Sequence, residues 1–335
     1  MMETEPLNPL IKLRRVLPED QHHRETTPKW VIKDLLREGA VISVCGLPGS
    51  FKSFLVLDAA IAIANGPDEF LGQPVRHGPV LYICADDGID TVIDRLRMIA
   101  KYRLGTVAYD RIDLVDRGEL NLAGSGAAYL LGNTLFSMTE DYDVNPALIV
   151  IDTAAMAGVP TDDFGHSVPA KLGWLKRAAA DYRCCIVLVD HISKQNDQDI
   201  DIRSRVWGSA YKAGFFEAIW ALDKQEDHIV SFEAADKRSN KRFHLCLQFG
   251  NVDGEYSLNY SDTKLDIVKD NIVNQLKEHE GSTVADIVDL LGISYTTASR
   301  RVTELLEDGK IVVTQPGSGR RPAKYGICLS TNCEN

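Results

Sequence analysis

Between about residues 30 and 250, short runs of apolar residues alternate with longer segments that have helical periodicity. This alternation is typical of parallel strands connected by crossover helices that pack on the sheet. Four runs are apolar almost throughout, as strands buried on both faces should be: residues 41–45, 79–84, 147–151 and 184–189. Three later and more polar runs are predicted as antiparallel strands at an edge: residues 218–222, 228–233 and 243–249. The pattern predicts an α/β fold with a mostly parallel, doubly wound sheet.

The pattern changes after residue 250. Residues 251–263 are rich in Asn, Asp, Gly and Ser and predict a linker between two domains. Helical periodicity then covers residues 265–278, 283–291 and 295–307, with Gly292 in the turn and Ser294 as the N-cap of the last helix. A final pair of strands at residues 311–314 and 324–328 completes a predicted winged helix-turn-helix domain over residues 264–330.

Composition narrows the class of protein. The 335 residues are 44% hydrophobic and 25% charged, which fits two globular domains, and residues 1–28 lack periodicity and are predicted as a flexible arm. No apolar stretch approaches the roughly eighteen residues of a membrane span, and the N-terminus is unlike a signal peptide, so we expect a soluble, cytoplasmic protein without membrane contact.

The seven cysteines lack metal-binding spacing and are predicted as reduced core residues. A formal charge of −11 restricts any DNA binding to a local basic patch.

The first predicted strand runs into a glycine-containing turn, followed by an apolar helix at residues 54–64. Such a turn directs backbone N–H groups and a helix N-terminus at phosphates, places a lysine near the β and γ phosphates, and offers a hydroxyl to Mg²⁺. The predicted ATP-binding residues are Gly46, Leu47, Pro48, Gly49, Ser50, Phe51, Lys52, Ser53 and Phe54. The pattern G-x-x-x-x-G-K-[ST] has glycine where this chain has Phe51, so a turn that binds nothing stays open as the alternative.

Polar residues follow the other apolar runs, where ligands of open α/β sheets bind. Asp152 has the position of a Walker B acid and is predicted to hold Mg²⁺ together with Ser53. Asp86 is the candidate that orients the attacking water, with Asp87 as the alternative. His191 is predicted to sense the γ-phosphate. The structural alternatives are a turn or helix cap for the acids and a simple hydrogen-bonding role for the histidine.

These motifs, in this order, resemble the RepA-like replication ATPases of plasmids and phages, which are hexameric DNA helicases of the RecA/DnaB-like superfamily. The resemblance spans about residues 30–250 and is based on residues 46–53, 78–87, 149–153 and 186–194, followed by the turn at 207–210 and a basic cluster. It implies a RecA-like, RepA-type AAA ATPase domain over residues 29–250, with Lys52 and Asp86 in catalysis. It also implies a ring, predicted as a hexamer, with ATP at each subunit interface.

By position, the resemblance makes Lys237 and Arg238 the cations that act on the ATP of a neighbouring subunit, with Arg242 as a substitute. The alternative for this cluster is a solvated hairpin tip. Two departures from the family pattern, Phe51 and the shorter Asp86 in place of glutamate, predict slow hydrolysis.

The winged helix is predicted to bind duplex DNA, with its second helix in the major groove and the hairpin tip as the wing. The predicted contacts are Thr296, Thr297, Ser299, Arg300 and Arg301 from the helix and Arg320, Arg321 and Lys324 from the wing. A winged helix that contacts protein is the alternative.

Together these features predict an ATP-hydrolysing motor on DNA, a replicative helicase or helicase-like ATPase of a plasmid, phage or mobile element. Single-stranded DNA would pass through the ring, with residues 195–205 as a candidate contact loop. Two alternatives stay open: an ATP-dependent regulator that binds one duplex site, and a recombinase or repair ATPase that forms filaments.

Overall fold

A computed structural model of the protein describes residues 27–159, 167–191, 214–226, 228–237, 242–252, 255–261, 266–318 and 321–328. Several predicted features lie outside these ranges: residues 1–26 of the arm, the loop at 195–205, the turn at 207–210, Arg238 and Arg320. No helix within the described ranges is both long and apolar enough to cross a membrane.

The secondary structure alternates along the chain as the periodicity predicts. The strands are β1 (Trp30–Ile32), β2 (Leu36–Arg37), β3 (Val41–Gly46), β4 (Glu69–Phe70), β5 (Gln73–Pro74), β6 (Val80–Cys84), β7 (Ile112–Val115), β8 (Leu148–Asp152), β9 (Cys185–His191), β10 (Ala218–Glu226), β11 (Ile229–Asp236), β12 (Arg242–Val252), β13 (Glu255–Ser261), β14 (Ile311–Gln315) and β15 (Lys324–Ile327). The described helices are α1 (Lys52–Ala64), α2 (Ile89–Leu104), α3 (Ala127–Tyr142), α4 (Ser167–Tyr182), α5 (Asp266–Glu278), α6 (Val284–Leu291) and α7 (Tyr295–Glu307).

Nine strands form one sheet in the order β13-β12-β11-β10-β3-β9-β8-β6-β7. The strands from β10 to β7 are parallel to one another, and β11, β12 and β13 continue the sheet by antiparallel pairing. The predicted doubly wound, mostly parallel sheet is therefore confirmed. One detail of the prediction was wrong: β10 is not an antiparallel addition, because it pairs in parallel with β3 and turns antiparallel only toward β11.

Helices cover the parallel part of the sheet on both faces because its strands are apolar on both faces. Ile42 and Val44 of β3 pack in a core with α1 and α2, whereas Val41 and Cys45 of the same strand pack in a second core with α3 and α4. Sequence periodicity did not predict β7 or the two small hairpins β1-β2 and β4-β5. These strands have two to four residues, too few to show an alternation.

The prediction that residues 251–263 form a linker between two domains was wrong. Most of this segment is the end of β12 and the whole of β13, which pair in register from Cys246↔Ser261 to Val252↔Glu255. Polar residues are expected here because β13 is an edge strand with alternating exposure, and such a strand resembles a loop in composition. The nine-stranded sheet of the N-terminal α/β domain therefore runs to residue 261.

The C-terminal helices pack directly on this sheet extension. The inward side chains of β12, including Leu247 and Phe249, join the main core, whereas Cys246 on the other face joins the core of the C-terminal domain. The amide of Asn271 on α5 also donates to Gln248 Oε1 over 2.6 Å. One strand thus contributes to the cores of both domains.

The predicted helix-turn-helix and wing are present in the C-terminal domain. Thr283 and Asp286 form a reciprocal capping box at the start of α6, Gly292 ends this helix in the left-handed conformation, and Ser294 caps α7 as predicted. The hairpin β14-β15 follows. Lys269 of α5 contacts the C-terminal end of α7 through ion pairs to Glu304 and Asp308.

A buried ion pair joins α1 to its neighbours. Asp58 of α1 is fully buried, accepts a hydrogen bond from Arg103 Nε of α2 at 2.5 Å, and accepts another from the Tyr256 hydroxyl of β13 at 2.7 Å. Burial raises the pKa of Asp58, and the two donors oppose this shift.

We expect Asp58→Ala to lower the free energy of unfolding by about 3 kcal/mol, because removal of one partner leaves the Arg103 guanidinium largely buried without its carboxylate. Urea unfolding, followed by circular dichroism, would measure the change. Asp94→Ala is the matched control, since Asp94 pairs with Arg97 on the exposed face of α2 and we expect a change below about 0.5 kcal/mol there. Equal effects at the two positions would contradict the assignment.

Candidate nucleotide-binding and DNA-binding sites

The register of the parallel strands brings the predicted residues at or just after the ends of β3, β6, β8 and β9 to one edge of the sheet. Gly46 at the end of β3 pairs with His191 of β9 on one side and with Leu222 of β10 on the other. Asp152 at the end of β8 pairs with Cys84 of β6. The carboxyl ends of four strands therefore meet where the loop from Gly46 to Ser53 connects β3 to α1.

Gly46 is required where the loop leaves the sheet. A Cβ atom on this residue would collide with the Leu222 carbonyl oxygen and the Ser50 hydroxyl, so no larger residue fits without a shift of the backbone. Gly49 has a φ of +76° and open space beside it, as expected at the tip of a loop whose backbone turns toward a ligand. The Lys52 ammonium donates to the carbonyl oxygens of Gly46 at 3.0 Å and Leu47 at 2.9 Å.

Phe51, the residue that departs from the phosphate-loop pattern, adopts the backbone conformation that usually requires glycine. Its φ is 62° and its ψ is 19°, in the left-handed region immediately before α1. The ring stacks on Phe249 of β12 with a centroid distance of 4.5 Å and an interplanar angle of 6°, and it also lies 5.6 Å from the ring of His228. Stacking of the half-buried Phe51 ring on the buried Phe249 ring offsets the cost of the left-handed backbone.

The predicted Mg²⁺ ligands Ser53 and Asp152 lie together. Asp152 is 6% exposed and accepts hydrogen bonds from the Ser53 side chain and, at 2.6 Å on Oδ2, from the Tyr82 hydroxyl. Burial raises the pKa of Asp152, and these two hydrogen bonds act in the opposite direction. Burial and the Asp152 charge raise the pKa of Tyr82 well above its usual value, so that Tyr82 remains a hydrogen-bond donor.

Lys52 shares this buried environment. Lys52 is only 6% exposed. Burial lowers the pKa of its ammonium, whereas the charges of Asp152 and Asp190 oppose that shift. An ammonium in such a place interacts strongly with an approaching anion, because little water screens it.

Asp86 and Asp87 differ in what surrounds their side chains. Asp87 forms an ion pair with Arg95 of α2 at 2.5 Å. Asp86 is exposed, and within the described ranges its carboxylate has no hydrogen-bond or ion-pair partner. Its backbone N–H donates to the Asp152 carbonyl at 3.1 Å, which fixes it beside the predicted metal ligand. The geometry therefore favours Asp86 over Asp87 for contact with water.

His191 lies at the same edge as the phosphate loop. Its backbone N–H donates to Asp190 Oδ1 at 2.9 Å, and Asp190 is almost fully buried. The imidazole Nδ1 is buried without a hydrogen-bond partner among the described residues. A buried polar atom of this kind is available to a ligand.

Lys237 lies away from this site in its own chain. It follows β11, whose last residue Asp236 pairs with Ala218 at the start of β10, at the end of the sheet opposite to the phosphate loop. The Lys237 ammonium donates to the Gly214 carbonyl at 2.9 Å. Arg242, the predicted substitute, lies 3.8 Å from Glu233. None of these side chains could act on a phosphate at the chain's own loop.

The loop and its surroundings fit a nucleotide with Mg²⁺. The cradle at Gly46 admits only a residue without Cβ, and Ser50 Oγ and His191 Nδ1 are buried polar atoms without partners in the described part of the chain. Carboxylate and hydroxyl oxygens, as supplied by Asp152 and Ser53, are the ligand type that Mg²⁺ prefers, and this ion usually keeps several waters.

The structure exposes most of the described residues that were predicted to contact DNA and buries two of them, Thr297 and Arg301. Thr296 and Arg300 are exposed on α7, Ser299 is half-buried there, and Arg321 and Lys324 are exposed on the wing. Thr297 is buried, and its backbone N–H is held by Ser294 at the helix start. Arg301 is 5% exposed and binds both carboxylate oxygens of Glu304, at 2.9 and 2.8 Å.

Thr297 and Arg301 therefore belong to the domain core, and the prediction that they contact DNA was wrong. The 3.6-residue period explains the difference, because these two positions share a face with the buried Ala298 and Leu305. Tyr295 is 60% exposed on the outer face of α7 and was not among the predicted DNA contacts.

Three residues that contact the candidate nucleotide site were not predicted from the sequence: Tyr82, His228 and Phe249. Tyr82 was counted only as part of an apolar strand, although a buried tyrosine hydroxyl requires a partner and could have signalled the contact. His228 and Phe249 reach Phe51 by antiparallel pairing of β11 and β12, which no local pattern specifies.

We expect Phe51→Ala to be less stable than Phe51→Gly by about 1 kcal/mol, because alanine keeps the cost of the left-handed backbone and glycine does not. Urea unfolding of both variants would measure the difference. The control pair is Phe136→Ala and Phe136→Gly, at a residue that is 62% exposed on α3. There the order should reverse, with alanine about 1 kcal/mol more stable in a helix. The same order at both positions would refute the proposed cause.

Comparison with known proteins agrees with this architecture. Residues 7–197, more than half of the chain, match the AAA domain family. Residues 271–321 match the MarR family. The match to the AAA domain family begins at residue 7, inside the segment at residues 1–28 that was predicted as a flexible arm.

Among solved structures, the chain is similar to a DnaB-like replicative helicase that is described with its interactions with primase. The TM-score is 0.51 at 14% sequence identity, over 65% of this chain and 57% of the helicase. The chain thus spans little more than half the length of that helicase. The predicted RecA/DnaB-like core and winged helix are confirmed by these matches at the level of the fold. The chain belongs to the AAA domain family, with the RecA-like fold of a DnaB-like helicase and a C-terminal winged helix similar to the MarR family.

Proposed function

We propose that this protein hydrolyses ATP as a DNA-associated motor, a replicative helicase or helicase-like ATPase of a plasmid, phage or mobile element. The observation that carries the proposal is the cluster of Lys52, Ser53 and Asp152 at the carboxyl edge of the sheet, with the exposed Asp86 beside it. A cation, a hydroxyl and two carboxylates with this arrangement serve phosphoryl transfer to water.

Each residue has a separate role in the proposed reaction. Lys52 would exchange its two carbonyl acceptors for phosphate oxygens, and Ser53 and Asp152 would hold Mg²⁺. When bound, Mg²⁺ supplies charge neutralisation at the β and γ phosphates. Asp86 would orient the attacking water and accept its proton, and His191 would contact the γ-phosphate with its buried Nδ1.

Self-association completes the site in this proposal. Lys237 lies at the opposite end of the sheet from the phosphate loop, so in this proposal it would act on the loop of another copy. A ring of copies, a hexamer by the sequence resemblance, would bring Lys237 and Arg238, or Arg242 instead, to the γ-phosphate of a neighbour. Single-stranded DNA would pass through such a ring.

The winged helix would bind duplex DNA with the outer face of α7 and the wing. Thr296, Ser299 and Arg300 would enter the major groove, and Arg320, Arg321 and Lys324 would contact the backbone. This local group of cations stands out on a chain with a formal charge of −11.

We expect ATP hydrolysis that single-stranded DNA stimulates and that Lys52→Ala abolishes, because the ammonium would neutralise the transferring phosphate. Phosphate release with and without a single-stranded oligonucleotide would measure this activity. Lys101→Ala is the control, since Lys101 is an exposed lysine of α2 that pairs with Glu255 far along the chain. Equal rates in the two variants would refute an ATPase that uses this loop.

Absence of hydrolysis, together with ATP-dependent binding to one duplex sequence, would refute the motor and support the regulator. The direct packing of α5 on β12 favours this second function, because it connects the winged helix to the sheet that carries the nucleotide site.

We expect Arg300→Ala and Arg321→Ala each to weaken duplex binding and to reduce the slope of log K against log salt by about 0.9 for each phosphate that is no longer neutralised. Fluorescence anisotropy with a labelled duplex at several salt concentrations would measure both quantities. Arg97→Ala, at an exposed arginine of α2, serves as the control. Unchanged affinity and slope in both C-terminal variants would remove DNA from the functions of the winged helix.

A further inference from the structure

The hydroxyl of Tyr82 contacts the nucleotide site from inside the core. Tyr82 lies in the middle of β6, is fully buried, and has the neighbouring β8 residue Val150 as its register partner. Asp152 follows Val150 by two residues, so its side chain lies on the same face of the sheet. This spacing places the Tyr82 hydroxyl 2.6 Å from Asp152 Oδ2.

We propose that Tyr82 is a positioning residue, which orients the Asp152 carboxylate for the bound metal ion. The inference deepens the proposed ATPase function and depends on it. With Oδ2 engaged by Tyr82, the remaining lone pairs of the carboxylate are left for the Ser53 hydroxyl and for water on Mg²⁺. A hydroxyl that donates to a carboxylate over this distance forms one of the stronger hydrogen bonds in proteins.

Packing alone does not account for a tyrosine here. The other residues of β6, Val80, Leu81, Ile83 and Cys84, are buried in the two cores, and phenylalanine would supply the same ring. A buried hydroxyl is costly unless it is bonded, and the partner that satisfies this one is the predicted metal ligand. The phenol therefore has a polar role in the site.

Strand β6 also fixes the backbone of Asp152. The N–H groups of Ala85 and Asp86, which directly follow β6, donate to the Asp152 carbonyl oxygen at 2.7 and 3.1 Å. Tyr82 of β6 thus holds the carboxylate of Asp152, and the two residues after the strand hold its carbonyl oxygen; the second of them, Asp86, is the acid proposed to orient water. A carboxylate fixed in this manner loses less conformational freedom when a metal ion binds.

Tyr82→Phe tests the proposal with little change of shape. The measurement is the Kd of AMP-PNP, a nonhydrolysable ATP analogue, by titration calorimetry in excess Mg²⁺ and in EDTA. In the unaltered protein, Mg²⁺ should tighten binding. We expect Tyr82→Phe to reduce this tightening by about tenfold, in line with the loss of a group that supports a metal ligand. The Kd in EDTA should stay within about twofold, because Lys52 and the loop are unchanged.

The matched control is Tyr256→Phe. Tyr256 is also a buried tyrosine that donates to a buried carboxylate, Asp58, at 2.7 Å, but its partner lies on α1 beyond the phosphate loop. This variant should lose stability and keep the full effect of Mg²⁺. Adding Tyr82→Phe to Asp152→Asn should change the Mg²⁺ effect no further, since the Tyr82 hydroxyl acts on the metal ion only through the Asp152 carboxylate.

The outcomes separate the two proposals. A protein that binds AMP-PNP in neither buffer, or whose Lys52→Ala variant binds it equally well, would overturn the ATPase and the inference together. Normal Mg²⁺ tightening in Tyr82→Phe would overturn only the role of Tyr82. So would equal weakening in both buffers, additivity with Asp152→Asn, or loss of folded structure in Tyr82→Phe alone, because each would assign the hydroxyl to the general fold.

Discussion

The candidate site is built around two opposite charges, Lys52 and Asp152, which are buried at the carboxyl edge of an apolar sheet. Burial disfavours the charged form of both groups, and each charge opposes the shift of the other. Their polar partners make this arrangement tolerable, since two loop carbonyls accept from Lys52, and Tyr82 and Ser53 donate to Asp152. A phosphate at this position would replace the carbonyls around Lys52. The loop is therefore preorganised for an anion by bonds that the anion can take over.

The second constraint is that β12 serves two domains. Phe249 on one face stacks on Phe51 of the phosphate loop, and the adjacent Gln248 on the other face bonds to Asn271 of the winged helix. Because successive side chains of a strand point to opposite faces, a displacement of β12 would reach both contacts. The strand gives a physical route between the loop from Gly46 to Ser53 and the winged helix. Because this part of the chain is rich in polar and aromatic residues, the sequence predicted an edge strand at residues 243–249 and a linker at residues 251–263.

Local sequence patterns predicted the strands and helix ends that depend on residues close together in the chain. Runs of apolar residues at β3, β6, β8 and β9 gave the parallel core, and Ser294 gave the start of α7. The loop from Gly46 to Ser53 could be found because chain order places it directly after a buried strand. Pairing between distant segments could not be found in this manner. The alignment of β10 with β3, the strand at residues 255–261 and the Tyr82 contact with Asp152 all depend on neighbours far along the chain. Arg301 was misassigned because charge suggested exposure, whereas its helical position places it in the core beside Glu304.

Phe51 shows why a sequence pattern and a structural requirement can disagree. A phosphate loop needs a left-handed residue before its lysine, and glycine adopts this conformation at no steric cost. In this chain Phe51 adopts the same conformation, and Phe249 and His228 lie against its ring. The backbone geometry is thus retained while its stabilisation comes from a distant strand. A glycine loop could change conformation on its own, whereas this loop cannot do so without separating two stacked rings. Phe51 therefore connects the loop from Gly46 to Ser53 to β12, and the conformation of this loop becomes a property of the folded domain instead of the loop alone.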